Sequence, residues 1–112
     1  MGKIVVIDGV ENTEKEKIAK DYVIVRCYSA GVFAGELIQQ NGKDVVLKNA
    51  RRLWFWDGAA TLSQLAMEGV SKPENCKFPI EVSQVILTEA IEILSCTEAA
   101  RESIARVKIW KA

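Results

Sequence analysis

The chain contains no histidine. That excludes Ser-His-Asp and Cys-His nucleophile arrangements and any His-ligated zinc site. Cysteine is sparse and scattered: Cys27, Cys76 and Cys96 are odd in number and far apart, a pattern of reduced intracellular thiols and not of a disulfide framework. Long apolar runs are missing too. Ile4-Val5-Val6-Ile7, directly after Met1-Gly2-Lys3, is far too short to span a bilayer and follows no secretory signal. Val6 stands where myristoylation would want a hydroxyl residue. Net charge is also absent, because 15 basic residues cancel 15 acidic ones. Dividing the chain after Trp56 gives 9 basic and 7 acidic residues before the cut, and 6 and 8 after it. No polybasic surface for a nucleic-acid polymer is expected, although a local basic pocket is compatible with these counts. The expectation is a protein outside the membrane, without metal or cofactor.

What is present describes one domain spanning residues 1–112. At 112 residues and 12.4 kDa the chain is near the modal domain size and buries roughly two-thirds of its unfolded surface. Apolar residues at 49% and charged residues at 27% exclude wholesale disorder.

Lys3 to Asp8 is a β-branched run closed by Asp8-Gly9, a strand and a turn. The polar segment Asn12 to Lys20, with capping-box spacing between Thr13 and Glu16, predicts one or two helical turns. Asp21 to Tyr28 and Val32 to Gln39 read as strands joined at Ser29-Ala30-Gly31. Asn41-Gly42 is the strongest hairpin signal, since a type I′ turn needs positive φ at both central residues. Asp44 to Lys48 and Arg51 to Trp56 are the next two strands. The first half is thus an antiparallel meander.

At Asp57-Gly58 the period changes. Ala59 to Glu68 predicts a helix with Leu62, Leu65 and Ala66 on one face and Gly69 just beyond its end. Val70 to Pro79 is a loop. Glu81 to Leu94 fits strand or helix, and its β-branched content tips it to strand. The capping box Ser95-Cys96-Thr97-Glu98 starts a helix to about Arg106, and Val107 to Trp110 is a terminal strand or docked tail. The fold class is α+β: an antiparallel β-sheet, a meander of hairpins, packed with two short helices.

The densest chemistry lies in Arg51-Arg52-Leu53-Trp54-Phe55-Trp56-Asp57-Gly58-Ala59-Ala60-Thr61-Leu62-Ser63. Two guanidiniums precede three aromatics, and a helix N-terminus with hydroxyls follows. A nucleotide needs these elements: a planar face for the base, fixed positive charge for phosphate, and exposed N–H groups on a helix dipole. Arg51, Arg52, Trp54, Thr61 and Ser63 are therefore candidate ligand contacts. The same residues also fit a plainer account, with Trp-Phe-Trp in the core, the arginines at a solvated strand end, and Thr61 or Asp57 capping the helix. Lys77-Phe78 in the loop offers a ring and a cation for a base, or an anchor of the loop to the core. Glu89 and Glu92 fall on opposite faces of a strand and cannot flank one bond. No general base or metal set is visible in the sequence, and only Arg26 beside Cys27 and Lys77 beside Cys76 place a cation next to a thiol, so an enzyme is not expected.

The run from Val45-Val46-Leu47-Lys48-Asn49-Ala50-Arg51-Arg52-Leu53-Trp54-Phe55-Trp56 through Gly58-Ala59-Ala60-Thr61-Leu62-Ser63-Gln64-Leu65-Ala66 to Lys72-Pro73-Glu74-Asn75-Cys76-Lys77-Phe78 resembles the Thoeris anti-defence protein 1 family of phages and prophages. With Tyr22-Val23-Ile24-Val25-Arg26 and Val107-Lys108-Ile109-Trp110 the resemblance covers Lys20 to Lys111. It implies a viral sponge in the cytoplasm of an infected bacterial host. Such proteins bind cyclic ADP-ribose isomers made by TIR-domain enzymes and withhold them uncleaved from the effector. Family members form dimers that assemble further into hexamers, and some hold cyclic oligonucleotides in separate pockets. Matched position by position, the resemblance implies Phe78 against adenine, and Arg51, Arg52 and Arg106 on phosphates. Where the family presents an amide in a later strand, this chain has Thr88, which leaves a hydrogen bond to the adenine edge in question. The competing expectation is a phage structural or protein-interaction module with no small ligand, which zero net charge and high apolar content also suit.

Overall fold

The computed structural model describes residues 18–112. The strand expected at Lys3 to Asp8 lies outside the described residues, as does most of the helical turn expected at Asn12 to Lys20. Its last three residues, 18–20, instead open the first strand. Five strands and two helices follow: β1 (Ile18–Cys27), β2 (Val32–Asn41), β3 (Asp44–Arg52), α1 (Leu62–Glu68), β4 (Val82–Leu87), β5 (Ala90–Thr97) and α2 (Glu98–Arg106). The class is α+β, with one antiparallel sheet in the order β4-β3-β2-β1-β5.

That order has a geometric consequence. β4 and β5 are the two edges of the sheet, yet only Thr88 and Glu89 join them, so the sheet must roll until its edges meet at one corner. The corner is tied on both sides: Tyr28 N–H donates to Glu89 O at 2.9 Å and Ala90 N–H to Lys43 O at 3.1 Å. Side chains alternate across a strand, and the roll makes two cores of them. Val23, Val25, Phe33, Val45, Leu47 and Leu87 fill its concave side. Tyr22, Ile24, Ala34 and Leu53 face outward and are covered by Leu65, Ala66, Ala100 and Ile104 of the helices.

Several boundaries differ from the sequence expectation, each for a local reason. The hairpin turn sits one residue later, with Asn41 paired to Asp44 and Gly42-Lys43 central. Gly42 takes φ +62 while Lys43 keeps a negative φ, the type II′ pattern that asks for glycine first. β3 is not two strands. Asn49 at φ +52 forms a bulge opposite Gly35 and lets the strand run on to Arg52. Past Arg52 the chain leaves the sheet, and only Phe55 bridges, to Lys77. The two capped helices begin later than their spacing suggests. Thr61 accepts from Gln64 N–H at 3.1 Å, and Thr97, not Ser95, accepts from Ala100 N–H at 3.0 Å. The fully buried Thr97 hydroxyl also donates to Met67 O at 2.7 Å, pinning the end of α1 to the start of α2. The terminal segment is a docked tail: Ile109 bridges Phe78 in parallel and Trp110 N–H donates to Phe78 O at 3.0 Å. Among the described residues no helix is long and apolar enough to cross a membrane.

Candidate functional site

The outer sheet face, α2 and the docked tail enclose a cleft of about 350 Å³, within the usual span of small-molecule sites. β1 contributes Tyr22, β2 Glu36, β3 Asn49 and Arg51, and α2 Arg101, while Glu81 stands at the entry to β4. The bulge puts Asn49 on this cleft, and its Nδ2 donates to Glu36 Oε2 at 3.2 Å. Arg101 Nη2 lies 3.8 Å from the same carboxylate oxygen. Its guanidinium carbon stands 5.1 Å from the centroid of the Tyr22 ring. Burial pushes the Tyr22 phenol up to about 12, with Cys96 and Glu81 adding to the rise and Arg101 and Arg51 opposing it. Tyr22 is therefore a neutral phenol at physiological pH.

Arg51 forms the floor and is committed elsewhere. Its Nε donates to Pro79 O (3.1 Å), Nη1 to Ile104 O (2.8 Å), and Nη2 to Phe78 O (3.2 Å) and Val107 O (2.6 Å). Four of the five N–H groups of a guanidinium thus serve backbone carbonyls, two of them at the end of α2, where positive charge is favoured. Burial lowers its pKa, with Tyr22 and Glu81 acting in the opposite sense. Arg51 is 6% exposed and its role here is structural.

Beside the cleft, across the tail, lies an exposed aromatic surface. Trp54 and Trp110 lie nearly parallel, 6° apart, with ring centroids 6.4 Å from each other. Lys77 Nζ stands 5.5 Å from the Trp110 centroid and 6.0 Å from that of Phe55. Trp54 is 63% exposed, and Phe55 and Trp110 about half.

The other residues singled out from the sequence fall elsewhere. Phe78 is not an open loop ring. It is fully buried in the outer core, and the Arg51 guanidinium lies 5.5 Å from its centroid. The strand-like bridge to Ile109 and the carbonyls Phe78 and Pro79 offer to Arg51 draw it inward, so no face is open to a base. Arg52 lies over Phe33 at 4.3 Å and donates to Ala30 O at 2.6 Å. Thr61 caps α1, Ser63 is exposed on it, Thr88 is exposed at the β4–β5 corner, and Arg106 is exposed in the last turn of α2. None of these five lines the cleft. Sequence reasoning missed Tyr22, Glu36, Asn49, Glu81 and Arg101. Only Asn49 left a signal, as a residue type that tolerates positive φ inside a strand.

A family model described as a domain of unknown function, DUF6948, matches residues 20–104. The chain belongs to that family. No curated protein and no solved structure matches it. The span matched in this DUF6948 chain includes Tyr22, Glu36, Asn49, Arg51, Glu81 and Arg101 and stops at Ile104, before the tail that closes the cleft. Among the described residues no group of three or more Cys, Asp or Glu is placed to hold a metal ion. All three cysteines are buried, and burial is the first cause raising each thiol pKa, that of Cys96 to about 12. The cleft therefore offers cations, carboxylates, an amide and a phenol: groups that hold a polar ligand.

Proposed function

We propose that this protein binds and sequesters, without cleaving it, a cyclic nucleotide signal of the ADP-ribose type, and so blocks TIR-type anti-phage defence in the host cytoplasm. The observation that carries the reading is the composition of the cleft. An ADP-ribose isomer presents two phosphates, two ribose diols and one base. Arg101, with Arg51 behind it, supplies positive charge for phosphate. Glu36 and Glu81 are acceptors suited to ribose hydroxyls, as acidic residues are in dinucleotide folds. The exposed Trp54 and Trp110 rings beside the cleft supply flat faces for a base. The family resemblance adds assembly into dimers and hexamers. Cyclic oligonucleotides are a second candidate ligand class.

Native mass spectrometry of the full chain with cyclic ADP-ribose isomers and cyclic oligonucleotides tests the proposal, followed by heat denaturation and analysis of the released ligand. The expected result is a bound mass on an oligomer and recovery of intact ligand. Recovery of a hydrolysed product, or no bound mass at ligand concentrations of 1 mM, overturns it. The alternative, an interaction module with no small ligand, draws on the exposed Trp54, Phe55 and Trp110, residue types concentrated at protein interfaces. It gains if the chain self-associates and no nucleotide changes its melting temperature.

A further inference from the structure

We infer that Glu36 determines the specificity of the cleft, admitting a phosphate to Arg101 only from a ligand that also brings a hydroxyl. The inference rests on the nucleotide-binding reading above and adds a selection rule to it.

Arg51 has spent four N–H groups on carbonyls, so Arg101 is the cleft-lining cation with donors to spare. It makes no hydrogen bond among the described residues, and its side chain is 40% exposed. Its contact with Glu36 at 3.8 Å is too long for a hydrogen bond and is a loose ion pair of small worth. Glu36, by contrast, is held. Asn49 donates to it from a backbone bulge at φ +52, which makes Asn49 a positioning residue. Glu36 is therefore the carboxylate that an anion approaching Arg101 meets.

A bare phosphate at Arg101 meets that carboxylate within a few ångströms and is repelled by it. A ribose hydroxyl next to the phosphate reverses the balance, because it donates to the carboxylate oxygens. The cleft is thus built for phosphate and diol together, and it penalises phosphate alone or a deoxyribose.

Isothermal titration of the full chain uses cyclic ADP-ribose, two analogues each lacking the 2′-hydroxyl of one ribose, and inorganic pyrophosphate. The parent should bind cyclic ADP-ribose about 10-fold more tightly than one of the two analogues. Glu36→Ala should bring that difference within about 2-fold. Glu36→Gln, which keeps an acceptor for Asn49, should tighten pyrophosphate about 5-fold by removing the like charge. Arg101→Gln should weaken all four probes. Circular dichroism and melting temperature confirm that each variant is folded. If Glu36→Ala preserves the discrimination, or Glu36→Gln leaves pyrophosphate unchanged, the role of Glu36 is refuted while nucleotide binding stands. If the parent binds none of these probes yet holds another cyclic ADP-ribose isomer or a cyclic oligonucleotide in the mass-spectrometric test, the selection rule fails alone. If it holds none of them, the nucleotide-binding reading fails as well.

Discussion

Replacing Arg51 by lysine keeps the charge and removes the fork. The native guanidinium reaches four carbonyls on two segments, Phe78 and Pro79 on one side and Ile104 and Val107 on the other, at 2.6 to 3.2 Å. A lysine ammonium has three donors at a single point and cannot span both segments. One or two carbonyls are then left without a partner, each costing about 1–3 kcal/mol when buried. Arg51→Lys should therefore lose about 2–4 kcal/mol out of the 5–15 kcal/mol typical of a domain. At about 4 °C per kcal/mol for this size, the melting temperature should fall by roughly 8–16 °C. Calorimetry and urea midpoints measure the loss, and an unchanged m-value shows that the native state is otherwise intact. Arg51→Ala should cost more, since the cover over the Phe78 ring goes as well. A lysine variant that melts within about 3 °C of the parent refutes the structural role. So does one that melts normally yet loses ligand more than 10-fold, which would return Arg51 to direct phosphate contact.

Phe78→Ala should lower stability by about 3–5 kcal/mol, because the ring is fully buried in the outer core; a variant that melts like the parent would return Phe78 to the surface. The buried thiols of Cys27, Cys76 and Cys96 should be silent to Ellman's reagent at pH 8 and should all react in denaturant, so fast labelling of the native protein would contradict their placement. Tyr22 holds its proton above the ordinary value of 10.0, up to about 12, through burial first. The folded state thus retains a proton that the unfolded chain releases, and the resulting stability is present below pH 10 and lost as pH rises towards 12. Urea midpoints should fall over that interval in the parent and fall less in Tyr22→Phe.

How much of this was legible in the sequence depended on whether the deciding interaction was local. The helix ends were readable within about three residues, because Thr61, Thr97 and Gly69 act on neighbours within one turn. The hairpin at Gly42 was visible as well, and its shift by one residue reflects a choice between turn types that both favour glycine. The segment 81–94 resisted because its two strands face different neighbours. β4 runs along β3 and β5 along β1, so no single period covers the whole stretch. The bulge at Asn49 was hidden for a related reason: a bulge is defined by its partner strand, here Gly35 of β2, and not by the residues that form it.

The site was harder to read, because an arginine in a sequence does not reveal whether its donors are already used. Arg51 and Arg52 stood beside aromatics and suggested a phosphate contact. Folding commits Arg51 to carbonyls far along the chain and lays Arg52 on Phe33 and Ala30. Arg101 carried no such signal, since it sits in an ordinary amphipathic helix. Its availability arises only when α2 packs against β1 and β5 and brings its side chain to Tyr22 and Glu36. The two arginines therefore divide the work. Arg51 holds the tail against the sheet and so makes the cleft, and Arg101 lines that cleft with donors that no carbonyl among the described residues takes up. Stability and binding should then separate by residue, with Arg51→Lys lowering the melting temperature and Arg101→Gln the affinity. One variant that moved both equally would show that the division is false.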